Sequence, residues 1–245
     1  MTYCIGILLN EGLVLASDSR TNAGIDRVST FRKMHVLEKR GERFFALLTA
    51  GNLSLTQGVM SLLSEWLDSG DPEKDLWAVV SMFAAARAVG TAMREMHKID
   101  GGYLQQHDVD FSASFILAGQ LKTGQLRLFL IYAAGNFIEA MGDTIYFQIG
   151  EVKYGKPILD RIIHPSTSLN DAVKCALISF DSTMRSNVSV GPPIDLLVYR
   201  RDSMAPGFTI RLEGTDPYLR SIRDAWGSAL HKAFQETVPD PGWKL

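Results

Sequence analysis

Cysteine is scarce: only Cys4 and Cys175 occur in 245 residues. Two thiols make no disulfide framework, so stability has to come from apolar packing. An excess of charge of one sign is also missing. Lys and Arg number 25 against 27 Asp and Glu, a formal net charge of -2. That balance gives no electrostatic case for a nucleic-acid partner. No apolar run approaches the ~20 residues that span a bilayer. The start of the chain lacks a basic region followed by a signal-type apolar stretch and a small-residue cleavage site. The expectations are therefore no membrane partner and a cytoplasmic location. No Walker motif occurs, and Gly191-Pro192-Pro193 reads as a rigid turn rather than a phosphate cradle. No cofactor is expected, and no ATP hydrolysis by the chain itself. His35, His97, His107, His164 and His231 are scattered. His107-Asp108-Val109-Asp110 reads as a solvated loop, because no Cys/His spacing completes a metal site.

What is present suits a globular enzyme. The residues are 46% hydrophobic and 21% charged, enough to bury a substantial core. No Pro/Gly/Ser-rich linker interrupts the pattern. One domain over residues 1–245 is expected, with a C-terminal helical extension over about 215–245. Residues 3–17 read as a strand hairpin: Tyr3-Cys4-Ile5-Gly6-Ile7-Leu8-Leu9, turn chemistry at Asn10-Glu11-Gly12, then Leu13-Val14-Leu15-Ala16. A strand ends at Leu48-Thr49-Ala50-Gly51. Val59, Met60, Leu62, Leu63, Trp66 and Leu67 have helical spacing, stopped by Ser69-Gly70-Asp71-Pro72. Leu76, Val79, Val80, Phe83, Met93 and Met96 fit one face of a second, long helix. Strands are expected over Phe111 to Gly119, Leu126 to Ala133 and Thr144 to Ile149. After Pro165 a helix is expected over Ala172 to Met184, then a strand over Ile194 to Tyr199 and a last helix over Tyr218 to Phe234. Strand runs and helix runs are grouped rather than alternating. That grouping argues for layered α+β and against a doubly wound sheet.

Thr2 stands directly behind Met1. If Met1 is removed, one residue carries both a hydroxyl and a free α-amine. A hydroxyl is a weak nucleophile until a base takes its proton. An α-amine titrates near pH 7.7–8.0, so part of it is neutral base at about pH 7. The hairpin returns the end of its second strand to the beginning of its first. Asp18, in Ser17-Asp18-Ser19-Arg20, therefore lands near Thr2. Lys33, in Phe31-Arg32-Lys33-Met34-His35, enters the next strand. A lysine beside the hydroxyl would lower its pKa, and Asp18 would fix that lysine in place. The competing reading pairs Asp18 with Arg20 in a turn and lets Lys33 extend to solvent. The ordered set favours catalysis.

These residues, with Leu48-Thr49-Ala50-Gly51 ahead of a helix, resemble a proteasome β subunit. More narrowly, the chain resembles the Anbu family of bacterial ancestral β-subunit proteins. The narrower likeness rests on Lys33 in Phe-Arg-Lys-Met-His, on Ile149-Gly150-Glu151-Val152-Lys153-Tyr154-Gly155-Lys156-Pro157, on Ser186-Asn187-Val188-Ser189-Val190-Gly191-Pro192-Pro193, and on the C-terminal extension. The resemblance implies a four-layer αββα sandwich of the N-terminal-nucleophile hydrolase type. It implies Thr2 as nucleophile and Asp18 and Lys33 as its supporting pair. Gly51 would supply the oxyanion N–H, Thr49 and Asn22 would bind substrate, Ser189 would bond the Thr2 amine, and Arg20 would support the site. Two positions depart from the pattern of many β subunits. Ser186 stands where an aspartate would, and Glu151 where a serine would.

Three functions fit this reading. The first is a threonine peptidase whose acyl-enzyme is hydrolysed by water. The second is an amidohydrolase with the same chemistry on small amides. The third is a catalytically weak ring-forming scaffold. The resemblance further implies self-assembly into a ring or an open, helically rising homo-oligomer that takes peptide or protein substrates. The sequence names no unfoldase partner. Tyr218, Ile222, Trp226, Leu230 and Phe234 recur every four residues, and that stripe needs a surface, either its own subunit or a neighbour.

Overall fold

The N-terminal apolar run folds as the expected hairpin. In the computed structural model, which describes residues 1–22, 28–107 and 110–243, β1 (Tyr3–Leu8) and β2 (Gly12–Asp18) pair antiparallel. Asn10 and Glu11 form the turn, closed by Leu9 N–H to Gly12 O at 2.8 Å. A short ribbon of β3 (Arg20–Asn22) and β4 (Val28–Thr30) then precedes β5 (Met34–Lys39) and β6 (Arg43–Gly51). Helices α1 (Leu53–Trp66) and α2 (Met82–Gln105) follow. Next come β7 (Ala113–Leu121), β8 (Arg127–Ile131), β9 (Phe137–Glu139) and β10 (Tyr146–Gly150). Then α3 (Lys156–Ile162), α4 (Leu169–Ser186), β11 (Ile194–Arg200), β12 (Phe208–Leu212) and α5 (Pro217–Glu236) complete the order.

Two five-stranded sheets result, β10-β1-β2-β11-β12 and β5-β6-β7-β8-β9. Every ladder in them is antiparallel. Their inner faces meet in one core, where Cys4, Leu13 and Leu15 pack with Ala46, Leu48, Ile116 and Leu128. Phe44 stacks on Tyr199 there, ring centroids 4.4 Å apart. The outer face of the first sheet, with Tyr3, Ile5, Val14 and Ala16, is covered by α4 through Ala172, Ala176 and Phe180. The outer face of the second, with Phe45, Leu47, Phe115 and Leu117, is covered by α1 and α2. This is the αββα sandwich. It explains why β1 and β6 are apolar runs without alternation: both faces of each sheet are buried, so both sets of side chains must be apolar. Among the described residues no helix is long and apolar enough to cross a membrane.

The second helix corrects one expectation. Leu76 and Val79 are buried but precede α2, while Val80 is 79% exposed and Phe83 half-exposed. Polar contacts hold residues 70–79 as turns instead. Asp75 accepts the Trp77 and Gly70 N–H groups at 2.7 and 2.9 Å, and Arg43 donates to the Leu76 and Val79 carbonyls. The Ser81 hydroxyl accepts the Ala84 N–H at 3.1 Å and starts the helix, as an N-cap does. The pattern also passes over β3, β4, β9 and β12, each a short strand, and over the short helix α3. Of the acidic loop, His107 and Asp110 are exposed, while Asp108 and Val109 lie outside the described residues.

Helix α5 divides the spaced stripe. Asp216 caps it by accepting the Tyr218 and Leu219 N–H groups. Leu219 and Ile222 join the core under α4, and Trp226 packs against it. Asp181 of α4 accepts from Arg223 of α5 and from Arg185, both at 3.2 Å. Beyond that clasp Leu230 is 53% and Phe234 72% exposed. Of the stripe, Ile222 and Trp226 therefore dock, while Tyr218 at one end is 48% exposed and Leu230 and Phe234 at the other are more so. Ile222→Ala should destabilise the protein by about 2 kcal/mol, the lower end for such truncations. It should also open α5 to limited proteolysis. Leu230→Ala should leave the urea midpoint unchanged. Equal midpoints for Ile222→Ala and wild type would remove α5 from the folded core.

Candidate active site

Strand pairing positions the site. β1 is flanked by β2 and β10, so its first residues meet the end of β2 and the end of β10. Thr2 is largely buried, and its carbonyl accepts the Glu151 N–H at 2.7 Å. Gly150 makes that approach possible. Its φ is +84°, and a Cβ there would lie 2.0 Å from the Thr2 oxygen, so only glycine fits.

Asp18 closes β2 with no exposed surface. Its Oδ1 accepts Lys33 Nζ at 2.7 Å and the Tyr3 N–H at 3.0 Å, and its Oδ2 accepts the Gly191 N–H at 3.4 Å. Burial pushes this carboxyl above its ordinary value, while the Lys33 ammonium and the two N–H groups pull it back. Lys33, also buried, donates to the Arg20 carbonyl at 2.6 Å. An ammonium has three donors. Two are committed here, which leaves one for the cleft that Lys33 lines together with Thr2.

That cleft holds about 460 Å³, and Met1, Thr21, Thr49, Ala50 and Gly51 also line it. Thr49 is buried on β6 and donates its N–H to the Lys33 carbonyl at 2.9 Å, which sets the lysine's backbone against the second sheet. Gly51 ends β6 at φ +111°, where a Cβ would fall 2.3 Å from the Ser112 oxygen. Asn52 follows and caps α1 by accepting the Leu55 N–H. Cys4 sits behind the site, its thiol on the Thr49 carbonyl at 3.6 Å. Burial pushes that thiol far up, so it behaves as a small apolar residue rather than a nucleophile.

Thr2, Lys33, Thr49 and Gly51 thus share one cleft, with Asp18 directly behind Lys33. The remaining candidates are placed differently. Arg20 makes no ion pair with Asp18. Its guanidinium donates to the Val188 carbonyl at 2.7 Å and so ties β3 to the loop after α4. Ser189 is half-buried and donates its N–H to Asn187 Oδ1 at 2.9 Å. No hydrogen bond joins its hydroxyl to Thr2 among the described residues, in a chain that still carries Met1. Asn22 ends β3 opposite Val28, and the segment 23–27 lies outside the described residues. The sequence pattern does not point to Tyr3, Asn187 or Gly191. Only the fold shows two of their N–H groups on Asp18 and the Asn187 amide on Glu151 Oε2 at 2.9 Å.

The sandwich, with Thr2 at the head of β1 and its cleft between the sheets, is the proteasome-like fold of the N-terminal-nucleophile class. Its solved likenesses are specific. An Anbu (ancestral β-subunit) structure from Yersinia bercovieri is 47% identical, covering 99% of each chain with a TM-score of 0.90. An Anbu (Gly-1) mutant from Hyphomicrobium sp. strain MC1 is 46% identical, covering 98% of this chain and 99% of that one, with a TM-score of 0.91. A structure described as the helical assembly of the Anbu complex from Pseudomonas aeruginosa is 45% identical over 98% of both chains, with a TM-score of 0.91. No protein-family model and no curated protein matches the chain. At this identity and coverage the chain belongs to the Anbu family.

Removing one member of a buried ion pair strands the other without a counter-charge. Lys33→Ala should therefore lower the unfolding free energy by about 3–5 kcal/mol. The double change Asp18→Asn with Lys33→Met should recover much of that loss, because no buried charge is left. Urea denaturation reads both. A single variant as stable as wild type would mean that the pair does not hold this end of the sandwich.

Proposed function

We propose that the chain is a proteasome-like threonine peptidase, with Thr2 as nucleophile once Met1 has been removed. The observation that carries the reading is the buried Asp18–Lys33 pair at 2.7 Å beside the cleft that Lys33 and Thr2 share. The free α-amine takes the proton of the Thr2 hydroxyl, directly or through a water, and Thr2 Oγ1 attacks the substrate carbonyl. Lys33 lowers the cost of the developing alkoxide. The Gly51 N–H receives the oxyanion, a role worth orders of magnitude in rate where such a donor is preorganised. Collapse breaks the carbon–nitrogen bond as the α-ammonium returns its proton to the leaving nitrogen, so the amine product departs and an ester is left on Thr2. The α-amine then activates the water that hydrolyses it. With Met1 attached, the Thr2 nitrogen is an amide and cannot act as the base.

Thr2→Ala should abolish peptide hydrolysis with the fold intact, since it removes only the nucleophile. Lys33→Ala, assayed well below its unfolding midpoint, should lose on the order of 10²-fold or more in rate. Intact mass after treatment with an electrophile directed at N-terminal threonine should show one adduct on Met1-free protein and none on protein that keeps Met1. Undiminished hydrolysis by material shown to retain Met1 would sink the mechanism.

The same reading includes self-assembly. A relative at 45% identity is described as a helical assembly, and the outer half of α5 here presents Leu230 and Phe234 at 53% and 72% exposure. An assembled wall would admit extended peptides to Thr2 and keep folded proteins away. Light scattering at micromolar concentration should give a mass many times the 27.1 kDa of one chain. A stable monomer would refute the assembly.

A further inference from the structure

The cleft that holds Thr2 is lined by hydroxyls more than by charge. Thr21, Thr49 and Thr56 all line it, beside Ala50 and Leu53. Thr21 Oγ1 is buried and has no hydrogen-bond partner among the described residues. A buried hydroxyl without a partner is costly, so its presence calls for a physical reason. Thr56 has already committed its proton. Its hydroxyl donates to the Leu53 carbonyl at 3.0 Å, so its oxygen can only accept from a further group. Among the described residues Lys33 is the one charged side chain that lines the cleft, and Asp18 at 2.7 Å already neutralises it.

Strand geometry places Thr21. Successive residues of a strand point to opposite faces. On β3, Arg20 turns away to the Val188 carbonyl, and Thr21 turns into the cleft. Thr21 pairs with Ser29 across the ribbon. The Arg20 carbonyl, one peptide bond ahead of Thr21, accepts Lys33 Nζ at 2.6 Å. The lysine assigned to Thr2 therefore also locates Thr21. Resting on the reading of Thr2 as nucleophile, we infer that Thr21 is a specificity-determining residue. It selects peptides with an uncharged, hydrogen-bonding side chain (Ser, Thr, Asn or Gln) on the residue whose carbonyl Thr2 attacks.

Every other class of side chain meets an obstacle. With the carbonyl held between Thr2 Oγ1 and the Gly51 N–H, the side chain on the same residue enters the rest of the cleft. Leucine or phenylalanine there would leave the Thr21 hydroxyl unpaired under apolar surface. Lysine or arginine would approach Lys33, and no carboxylate lines the cleft among the described residues to receive it. Aspartate or glutamate would find only a lysine that Asp18 already holds. A side chain that donates and accepts gives Thr21 its partner and offers Thr56 Oγ1 a donor. Met1 lines the same cleft, so the processing that frees the Thr2 amine also opens the space this side chain enters.

The test is binding to full-length, Met1-free Thr2→Ala protein, which keeps the cleft but has no nucleophile. Fluorescence anisotropy of labelled tetrapeptide amides ending in Gln, Leu, Arg or Glu reads the affinities. The Gln peptide should bind about ten-fold more tightly than the Leu peptide, the margin of a paired over an unpaired polar group. The Arg and Glu peptides should also bind more weakly than the Gln peptide. Thr21→Val removes the hydroxyl at nearly constant shape and should bring the Gln and Leu peptides level, while Thr21→Ser should keep the preference. With Thr2 present, kcat/KM for fluorogenic peptides carrying these residues before the scissile bond should show the same ratio and the same collapse in Thr21→Val. Equal binding of the Gln and Leu peptides, binding of none, or a preference that survives Thr21→Val overturns the inference. If Thr21→Val does not fold, a preference that survives Thr21→Ala overturns it equally. A Gln preference that depends on Thr21, in a protein that cleaves none of these peptides, would count against the peptidase reading alone.

Discussion

The ion pair between Asp18 and Lys33 joins parts of the chain that the rest of the fold keeps separate. Asp18 belongs to the first sheet, at the end of β2. Lys33 stands at the entry to β5, the edge of the second sheet, and Thr49 of β6 holds its carbonyl. The apolar core between the sheets brings these ends together but does not fix them to tenths of an ångström. A buried salt bridge is poor evidence for stability, because desolvation offsets much of the attraction. Its value here is registry. Asp18 accepts from Lys33, from Tyr3 at the head of β1 and from Gly191 ahead of β11, so four chain segments converge on one carboxylate. Thr2 follows from that convergence. Its neighbour Tyr3 is pinned from behind, and its own carbonyl is pinned by Glu151.

Much of this was legible in the sequence, for a reason that is local. A hairpin with a two-residue turn returns the end of β2 to the start of β1, so Asp18 had to arrive near Thr2 once the turn at Asn10-Glu11 was read. Grouped strands and helices indicated layers, and the resemblance supplied which layers. Lys33 was harder to place. Its approach to Asp18 depends on one sheet stacking on the other, and no spacing rule within residues 18–33 encodes that. The contacts that escaped the pattern span greater distances. Gly191 reaches Asp18 across 173 residues, and Asn187 reaches Glu151 across 36. Both come from a loop whose Gly-Pro-Pro was read only as a turn.

The error over α2 has the same root. Leu76 and Val79 satisfy helical spacing and are buried, but Asp75 and Arg43 satisfy the backbone there in another way. Periodicity reports which side chains seek the core and is silent on which backbone carries them. The ribbon of β3 and β4, and the strands β9 and β12, are missed because three to five residues at a sheet edge make too few alternations to register.

Glycine at two strand ends bears on how Thr2 can border the cleft while Asp18 stays buried behind it. Gly150 and Gly51 both take positive φ, and a side chain at either would strike backbone, the Thr2 carbonyl in one case and the Ser112 carbonyl in the other. Each ends a strand bordering the cleft, β10 and β6 respectively. There the regular ladder gives way and the chain turns without a side chain to fill the space. The cleft is therefore partly a consequence of where Cβ atoms are missing. Its charged wall comes from the opposite choice, a lysine with no exposure to spare. Small residues open the space, a paired charge polarises it, and the start of β1 delivers Thr2 between them. A larger residue at Gly150 would push on Thr2 itself, and one at Gly51 would push β6 from the Ser112 backbone, so the shape of the site and its charged pair are set by separate positions in the chain.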